Sequence, residues 1–270
     1  MCNIACGNNY INHWINFDYF PHSKFVKKAN LLERLPIDND SANIVYSSHF
    51  IEHIPRDLVN GFLEECFRIT KSRGVLRLVL PDWEELCSTY LTLRQSGGSQ
   101  HERADFLMVE MLDQCVRRVS GGELGAYYDM LQAQPNAHHD LIEFIRRRTG
   151  HNFHPMVNVK PGSRWLRFIN TARKIHSKLE RLYIRSVISL LPSAFRQQNV
   201  SLAGVGENHA WMYDFHTIKH SLSEAGFIDV QRMSATTSNI SDFPFIPLDV
   251  NPDGLPRKGK ESMYIEAVKL

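Results

Sequence analysis

The first 95 residues alternate short apolar runs with turns, a pattern typical of β-strands joined by tight links. Between two of these runs, residues 55–70 carry apolar side chains near helical spacing, and Pro55 and Asp57 suit the first turn of a helix. A rhythm of strand, turn, strand, helix and strand is typical of a parallel α/β sheet. The predicted strands are 2–5, 14–18, 31–35, 42–48 and 75–82, with a break at 71–74 before the last.

Residues 83–200 differ from this pattern, because they are mostly helical in character with few β-type runs. From about residue 209 the first pattern returns, with a predicted helix at 215–226 that Gly226 stops and strands at 227–233 and 262–270. The chain is therefore predicted to form one α/β domain from residues 1–95 and 205–270. Residues 96–204 are predicted to form a largely helical insertion.

Composition changes this picture little. The formal net charge is +2, so no global charge favours nucleic acid as a partner. No apolar run approaches the roughly 18 residues that a membrane-spanning helix needs. The five cysteines are odd in number, and the first residues lack the pattern of a secretory signal, so we expect reduced thiols and a cytoplasmic location.

Residues 163–192 stand out as a basic amphipathic stretch, either one helix or a broken pair. The favoured interpretation is a helix that packs on the domain and keeps its basic face in solvent. The alternative is peripheral contact with a membrane surface through the same basic face.

The segment at 44–55 places His49, Glu52 and His53 in the spacing H-x-x-E-H, which inverted zinc proteases use for their metal ligands. Such a site needs both histidines on one face of a continuous helix. Here the motif follows a β-type run directly, and Pro55 comes two residues after His53, which leaves little more than one helical turn. We therefore expect no metal from this motif, and a zinc hydrolase using these three residues stays the less favoured alternative.

Several polar or small residues instead fall where the predicted strands end. In open α/β sheets, ligands bind in the crevice beyond the carboxyl ends of the strands. The positions that reach this edge are 3–7, Asp18, His49 and Asp82. Their convergence favours a nucleotide-like cofactor over a metal ion.

Four blocks of the chain together resemble class I S-adenosylmethionine-dependent methyltransferases. They are NIACGNNY…WINFDYFP, LPIDNDSANIVYSSHFIEHI, FLEECFRITKSRGVLRLVLPD and ENHAWMYDFHTIKHSLSEAGF. The chain is most similar to the predicted methyltransferases often found among polysaccharide and natural-product genes. The resemblance covers about residues 1–95 and 205–270, and it implies a Rossmann-like sheet with the helical insertion as a cap over the acceptor site.

The resemblance also implies that S-adenosylmethionine binds at the ends of the first strands. Asp18 would bind the ribose hydroxyls, and Asn30 and Leu31 would lie near the adenine. The full set of expected cofactor contacts is Asn3, Ala5, Gly7, Asp18, Asn30, Leu31, Ser48 and His49.

Three features depart from the family pattern. Ala5 stands in the first loop where glycine is usual, and its methyl group is expected to weaken cofactor binding at most. The chain begins inside the first strand, without a helix before it. The span from Gly7 to Ile15 is too short for a full crossover helix, although related members also shorten this link.

Methyl transfer mainly requires that a nucleophile be aligned with the methyl group, and a general base helps when the acceptor is a hydroxyl. His49 is the first candidate base, with a structural histidine as the alternative. Asp82 would face the acceptor or cap the helix that begins at Trp83. His209, just before the predicted helix at 215–226, is a further catalytic candidate at the place where the acceptor pocket would close. The expected acceptor contacts are His151, His154, Trp211 and Tyr213. A core position is the favoured alternative for Trp211, and for the histidine pair the favoured alternative is that they have no part in the site.

The sequence therefore predicts a cytoplasmic biosynthetic enzyme that methylates a small-molecule or sugar acceptor, at oxygen rather than at nitrogen or carbon. The first alternative is a degenerate relative that keeps the fold and serves as a binding or scaffold protein without catalysis. Ala5 and the short start of the chain are the observations that favour that alternative.

Overall fold

A computed structural model of the protein describes residues 1–98, 100–151, 153, 182–184, 186–204 and 206–270. His154 and most of the basic segment at 163–192 lie outside the described residues, so the roles predicted for them stay predictions. Among the residues that are described, no helix is long and apolar enough to cross a lipid bilayer.

One seven-stranded sheet forms the centre of the molecule, in the strand order β3-β2-β1-β4-β5-β7-β6. β1 to β5 run parallel to one another, and β7 runs antiparallel between β5 and β6. This arrangement confirms the predicted α/β class with a Rossmann-like sheet. The strands are β1 Cys2–Ile4, β2 Ile15–Asp18, β3 Val26–Lys28, β4 Ala42–Ser48, β5 Thr70–Pro81, β6 Ile228–Met233 and β7 Ser262–Val268.

Two predicted features of the sheet are wrong. Residues 31–35 form turns rather than the third strand, and their apolar side chains Leu31 and Leu35 pack into the core from those turns. The third strand is the shorter β3, which has a single buried residue. The predicted break at 71–74 is an irregularity inside β5, where Arg73 has a φ of 62° and the pairing with β4 shifts register.

Helices cover the sheet and build the side beyond its carboxyl edge. Among the described residues they are α1 Val59–Ile69, α2 Trp83–Ser96, α3 Gln100–Val116, α4 Gly122–Ala133, α5 His139–Thr149, α6 Ser193–Asn199, α7 Phe215–Glu224 and the short α8 Phe245–Leu248. Two further single turns, Ile51–His53 and Arg56–Leu58, are 3-10 helices.

The buried hydrophobic side chains of the described residues form three clusters. One face of the sheet packs against α1 and α7, for example through Phe62 and Ile218. The other face, with Tyr46 and Val79, is covered by the chain that follows β6. α3, α4 and α5 share a separate core around Phe106, and side chains of α2 pack against it.

Candidate active site

The carboxyl ends of β1, β2, β4 and β5 meet at one edge of the sheet, because these strands are parallel and neighbouring. The predicted convergence of 3–7, Asp18, His49 and Asp82 is therefore confirmed in its placement. The link from β1 to β2 contains no helix, in line with its predicted shortness. It is closed instead by hydrogen bonds from Asn9 N to Cys6 O (2.9 Å) and from Asn3 Nδ2 to Asn9 O (3.0 Å).

The Asp18 side chain connects the loop that follows β1 to the loop that follows β2. Its Oδ2 accepts a hydrogen bond from Gly7 N (2.9 Å), and its Oδ1 accepts one from Phe20 N (2.8 Å). Each carboxylate oxygen can accept a second hydrogen bond, so both remain able to bind a donor from outside. Ala5 and Gly7 have φ values of 57° and 51°, and a Cβ on Gly7 would meet open space. The contacts expected between these residues and the ribose and aminoacyl end of S-adenosylmethionine stay predictions.

Three other expected cofactor contacts, Asn30, Leu31 and Ser48, already make contacts within the protein. Asn30 follows β3 and donates to Glu33 Oε1 at 2.8 Å, while Leu31 is buried in the core beside it. Ser48 Oγ already accepts a hydrogen bond from Arg257 Nη2 at 2.9 Å. Their contacts with a cofactor stay predictions.

His49 lies directly after β4 in a left-handed conformation (φ 51°), and its backbone N–H donates to Val79 O at 2.8 Å. Its side chain connects two neighbours. Nε2 is 2.9 Å from Ser262 Oγ, at the start of β7, and Nδ1 is 3.2 Å from Glu52 Oε1. The result is a row of carboxylate, imidazole and hydroxyl at the carboxyl edge.

The charges in this row follow from burial. Burial lowers the pKa of His49 to about 4, and nearby Lys258 acts in the same direction against the opposing effect of Glu52. Burial alone would raise the pKa of Glu52, but His49, His53 and His209 lower it to about 2. At neutral pH the row therefore holds a neutral imidazole beside an ionised carboxylate.

The H-x-x-E-H segment does not form the helix that a zinc protease site requires. Only Ile51–His53 is helical, as a single 3-10 turn, and His49 precedes it. Glu52 and His53 are tied instead to the distant segment 208–211. Glu52 O accepts from Ala210 N at 2.6 Å, and His53 Nδ1 lies 2.8 Å from the carbonyl oxygen of Asn208.

His209 reaches the same place from that segment. It is buried, and its ring lies edge-on to the ring of His53, with centroids 4.9 Å apart. Burial lowers the pKa of His209 to about 4. One ligand atom each from Glu52, His53 and His209 lie within 4.8 Å of one another, so these three residues form a group able to hold a metal ion.

Asp82 caps α2, which is the second of the two roles considered for it. Its Oδ1 accepts from Glu84 N (3.2 Å) and Glu85 N (3.3 Å), and its Oδ2 pairs with Arg232 Nη1 at 3.1 Å. Burial raises the pKa of Asp82. Since both oxygens are engaged, nothing in these contacts favours a catalytic role, which stays a prediction.

The two aromatic residues predicted to contact the acceptor differ in exposure. Trp211 is 40% exposed and carries the Arg56 guanidinium 4.4 Å above its ring, so the alternative of a core position is wrong. Tyr213 is buried, and its hydroxyl has no hydrogen-bond partner among the described residues. Burial raises the pKa of Tyr213 to about 12.

A polar cavity of about 360 Å³ lies between helices α3, α4 and α5 and the chain that precedes β7. His151 lies in its wall and stacks on Tyr128, with ring centroids 4.2 Å apart. Burial and nearby Glu110 raise the pKa of Glu261 well above its usual range. The lining residues are Glu110, Gln114, Leu124, Tyr128, Thr149, Gly150, His151, Arg257, Lys258 and Glu261.

Ser262, which directly follows the lining residue Glu261, connects the wall of the cavity to His49. Ser262 Oγ lies 3.2 Å from Lys258 O and also faces His49 Nε2. Sequence reasoning missed Ser262, Lys258 and Tyr128. Ser262 and Lys258 could have been predicted. β7 runs antiparallel to β5, so β7 and the residues just before it start at the edge of the sheet where β5 ends.

Residues 18–78 match the model of a family described as a methyltransferase domain. No curated protein matches the sequence.

Similar solved structures are distant in sequence. A methyltransferase of Archaeoglobus fulgidus, described as dependent on S-adenosylmethionine, is 14% identical with a TM-score of 0.39, covering 99% of this chain and 85% of its own. A putative methyltransferase in complex with the Trm112 methyltransferase activator of Haloferax volcanii is 10% identical with a TM-score of 0.39, covering 99% and 80%.

The YcgJ protein of Bacillus subtilis is 19% identical with a TM-score of 0.26, and the match covers 34% of this chain. The chain spans about half (51%) of that protein. Residues 18–78 are therefore similar to a methyltransferase domain, and the seven-stranded sheet that contains them has a Rossmann-like fold.

Proposed function

We propose that the protein is an S-adenosylmethionine-dependent methyltransferase that transfers the methyl group to a hydroxyl of a small-molecule or sugar acceptor. The observation that carries the proposal is the carboxyl edge of the sheet, where Gly7 and Asp18 follow β1 and end β2 and where His49 follows β4. Ligands of open α/β sheets bind in the crevice at this edge. A site for the cofactor and a candidate base share this crevice, and a polar cavity borders it.

The cofactor half of the site rests on the backbone around Gly7 and on the Asp18 carboxylate. Asp18 would accept hydrogen bonds from the ribose hydroxyls, as strand-end acids do in nucleotide-binding folds. The open space above Gly7 leaves room for the aminoacyl end to approach the loop. When bound, the cofactor supplies a methyl group on a positively charged sulfur, ready for displacement.

The acceptor half rests on the cavity beside His49. Its volume lies in the range of small-molecule sites, and its charged and hydroxyl groups suit an acceptor rich in hydroxyls. The stacked pair of Tyr128 and His151 offers an apolar surface against which a sugar ring could pack.

His49 is positioned to take the proton from an acceptor hydroxyl. A hydroxyl oxygen, that of Ser262, already lies 2.9 Å from Nε2, within the reach that a general base needs. The Glu52 carboxylate on the other side of the ring would stabilise the imidazolium that forms. Methyl transfer from labelled S-adenosylmethionine to a panel of saccharides, with NMR assignment of the methylated atom, tests the choice of acceptor and of oxygen.

Isothermal titration with S-adenosylhomocysteine tests the cofactor site. We expect micromolar binding by the wild type and a loss of at least about 100-fold in Asp18→Ala, because the substitution removes the ribose acceptor and releases Gly7 N and Phe20 N. Asp38→Ala, which removes an exposed acid of the loop after β3, is the matched control and should bind as the wild type does.

Absence of binding by a folded wild type would reject the proposal and leave the scaffold alternative. Binding that Asp18→Ala does not weaken would reject the assignment of the ribose site alone. A cytoplasmic location is part of the proposal, and the five free thiols support it.

A further inference from the structure

His53 and His209 have no part in the steps proposed above, yet both histidines meet Glu52 beside the crevice. One ligand atom from each of the three residues lies within 4.8 Å of the other two, and Glu52 Oε1 is 3.9 Å from His53 Nε2. Ligand atoms around a tetrahedral metal ion are about 3.4 Å apart when each bond is about 2.1 Å long. Small side-chain rotations would therefore bring the three atoms to coordinating distance.

Glu52 is the residue that points to a ligand. Its side chain is 1% exposed, and neither carboxylate oxygen accepts a hydrogen bond. His49 Nδ1 approaches Oε1 at 3.2 Å without forming an aligned hydrogen bond. In the described part of the chain, no lysine or arginine forms an ion pair with Glu52. Buried carboxylates are normally paired, hydrogen-bonded or bound to a metal, because a bare buried charge is costly.

The two histidines are held in orientations that leave a nitrogen available. His53 Nδ1 donates to Asn208 O at 2.8 Å, which leaves Nε2, the atom nearer Glu52, as an unprotonated ligand. Metal-binding histidines commonly make such a bond with the nitrogen that does not face the metal. The contact of His209 Nδ1 is with Met212 Sδ at 3.4 Å, and a thioether sulfur is a weak partner.

We propose that Glu52, His53 and His209 bind one divalent transition-metal ion. Two imidazoles and a carboxylate favour Zn²⁺, Co²⁺, Fe²⁺ or Mn²⁺ over Mg²⁺ and Ca²⁺, which prefer oxygen ligands. The site differs from the zinc-protease interpretation of H-x-x-E-H, because His209 from a distant segment replaces His49.

Three protein ligands leave at least one coordination position open. The side chain of His53 is 18% exposed, so the cluster is open on that side. Because His49 contacts Glu52, an acceptor oxygen bound near His49 would lie close to the metal; this last step alone rests on the proposed methyl transfer.

Titration of chelator-treated wild-type protein with Co²⁺ tests the site directly. We expect one equivalent of Co²⁺ per chain, with the visible absorption bands of a low-coordinate site, and displacement of Co²⁺ by Zn²⁺. Glu52→Gln and His209→Asn should each weaken Co²⁺ binding by at least about tenfold and reduce these bands. His220→Asn is the matched control, because His220 pairs with Glu224 at 3.3 Å on an exposed face of α7, and it should bind Co²⁺ as the wild type does.

A folded wild type that binds no Co²⁺ would overturn the proposal, and so would equal binding by Glu52→Gln. Circular dichroism of each sample establishes that it is folded, and the wild-type titration decides the question even if one variant does not fold. Titration of the same wild-type sample with S-adenosylhomocysteine separates the two proposals. Binding of S-adenosylhomocysteine without Co²⁺ rejects only the metal site, and the reverse result rejects only the cofactor site.

Discussion

The two sides of the crevice are built in different ways. The proposed cofactor side, around Gly7 and Asp18, comes from strand ends that are close together in the chain, and one hydrogen bond from Gly7 N to Asp18 Oδ2 spans eleven residues. The proposed acceptor side, at the cavity lined by Tyr128 and His151, joins the end of α5 to the chain before β7. There Glu261 N donates to Arg148 O at 3.2 Å, although these residues lie in widely separated parts of the sequence.

The two sides also differ in how much substitution they tolerate. On the cofactor side, Ala5 occupies a left-handed position, and a Cβ on Gly7 would meet no atom within 4 Å. On the acceptor side, a Cβ on Gly259 would collide with the backbone oxygen of Arg148, and one on Gly150 would collide with that of Arg257. The loop that holds Ala5 and Gly7 therefore has space for a larger side chain at Gly7. Where two backbone segments touch, at Gly150 and Gly259, only glycine fits.

The largest effect is expected from Gly259→Ala. Because the new methyl group would push the loop from the end of α5, we expect a loss of about 3 kcal/mol in the free energy of unfolding. Affinity for S-adenosylhomocysteine should stay within a few-fold of wild type, since the cofactor side is untouched. Chemical denaturation and isothermal titration measure the two quantities.

Gly254→Ala is the control for Gly259→Ala. Gly254 has a φ of 82° with no atom near its Cβ position, so its substitution should cost only the left-handed strain of about 1 kcal/mol. If both variants lost the same free energy of unfolding, the contact between Gly259 and the backbone of Arg148 would not explain the effect of Gly259→Ala.

A smaller effect of opposite sign is expected from Ala5→Gly. Glycine removes the left-handed strain at φ 57° but adds freedom to the unfolded chain, so the net gain in the free energy of unfolding should be up to about 1 kcal/mol. Affinity for S-adenosylhomocysteine should be unchanged or higher. Ala29→Gly, at a partly buried position without positive φ, should instead destabilise the protein, and a loss in both variants would contradict the argument.

The smallest effect concerns the loop at 35–39, which α1 holds through Glu65. Burial alone would raise the pKa of Glu65, but hydrogen bonds from Arg68 and from Leu35 N lower it. A lowered pKa in the folded state stabilises the protein above the unfolded value of about 4.3, and this contribution is lost as the pH falls through the folded pKa.

The pair is partly exposed, so we expect the contribution to stay below about 1 kcal/mol. Denaturation of wild type and Glu65→Gln from neutral to acidic pH measures it. The difference in the free energy of unfolding should shrink as the pH falls below about 4. A difference that does not vary with pH would assign the effect to packing instead.

Predictions from the sequence failed where the pattern of apolar residues along the chain does not match the burial of their side chains in the fold. The apolar residues Leu31 and Leu35 indicated a strand, but they reach the core from turns, while β3 has only one buried residue and gives almost no periodic signal. A core position was the favoured alternative for Trp211. The residue is 40% exposed, and the Arg56 guanidinium lies 4.4 Å from the centre of its ring.

What the sequence by itself determined is which residues lie at the carboxyl edge of the sheet. β4 was predicted with its observed bounds, and Asp18, His49 and Asp82 were placed at strand ends, since alternating apolar runs and their turns are properties of neighbouring residues. The tertiary structure alone decided the rest. It brought His209 to Glu52 and Ser262 to His49, because such meetings depend on how distant segments pack and leave no periodic signal in the chain.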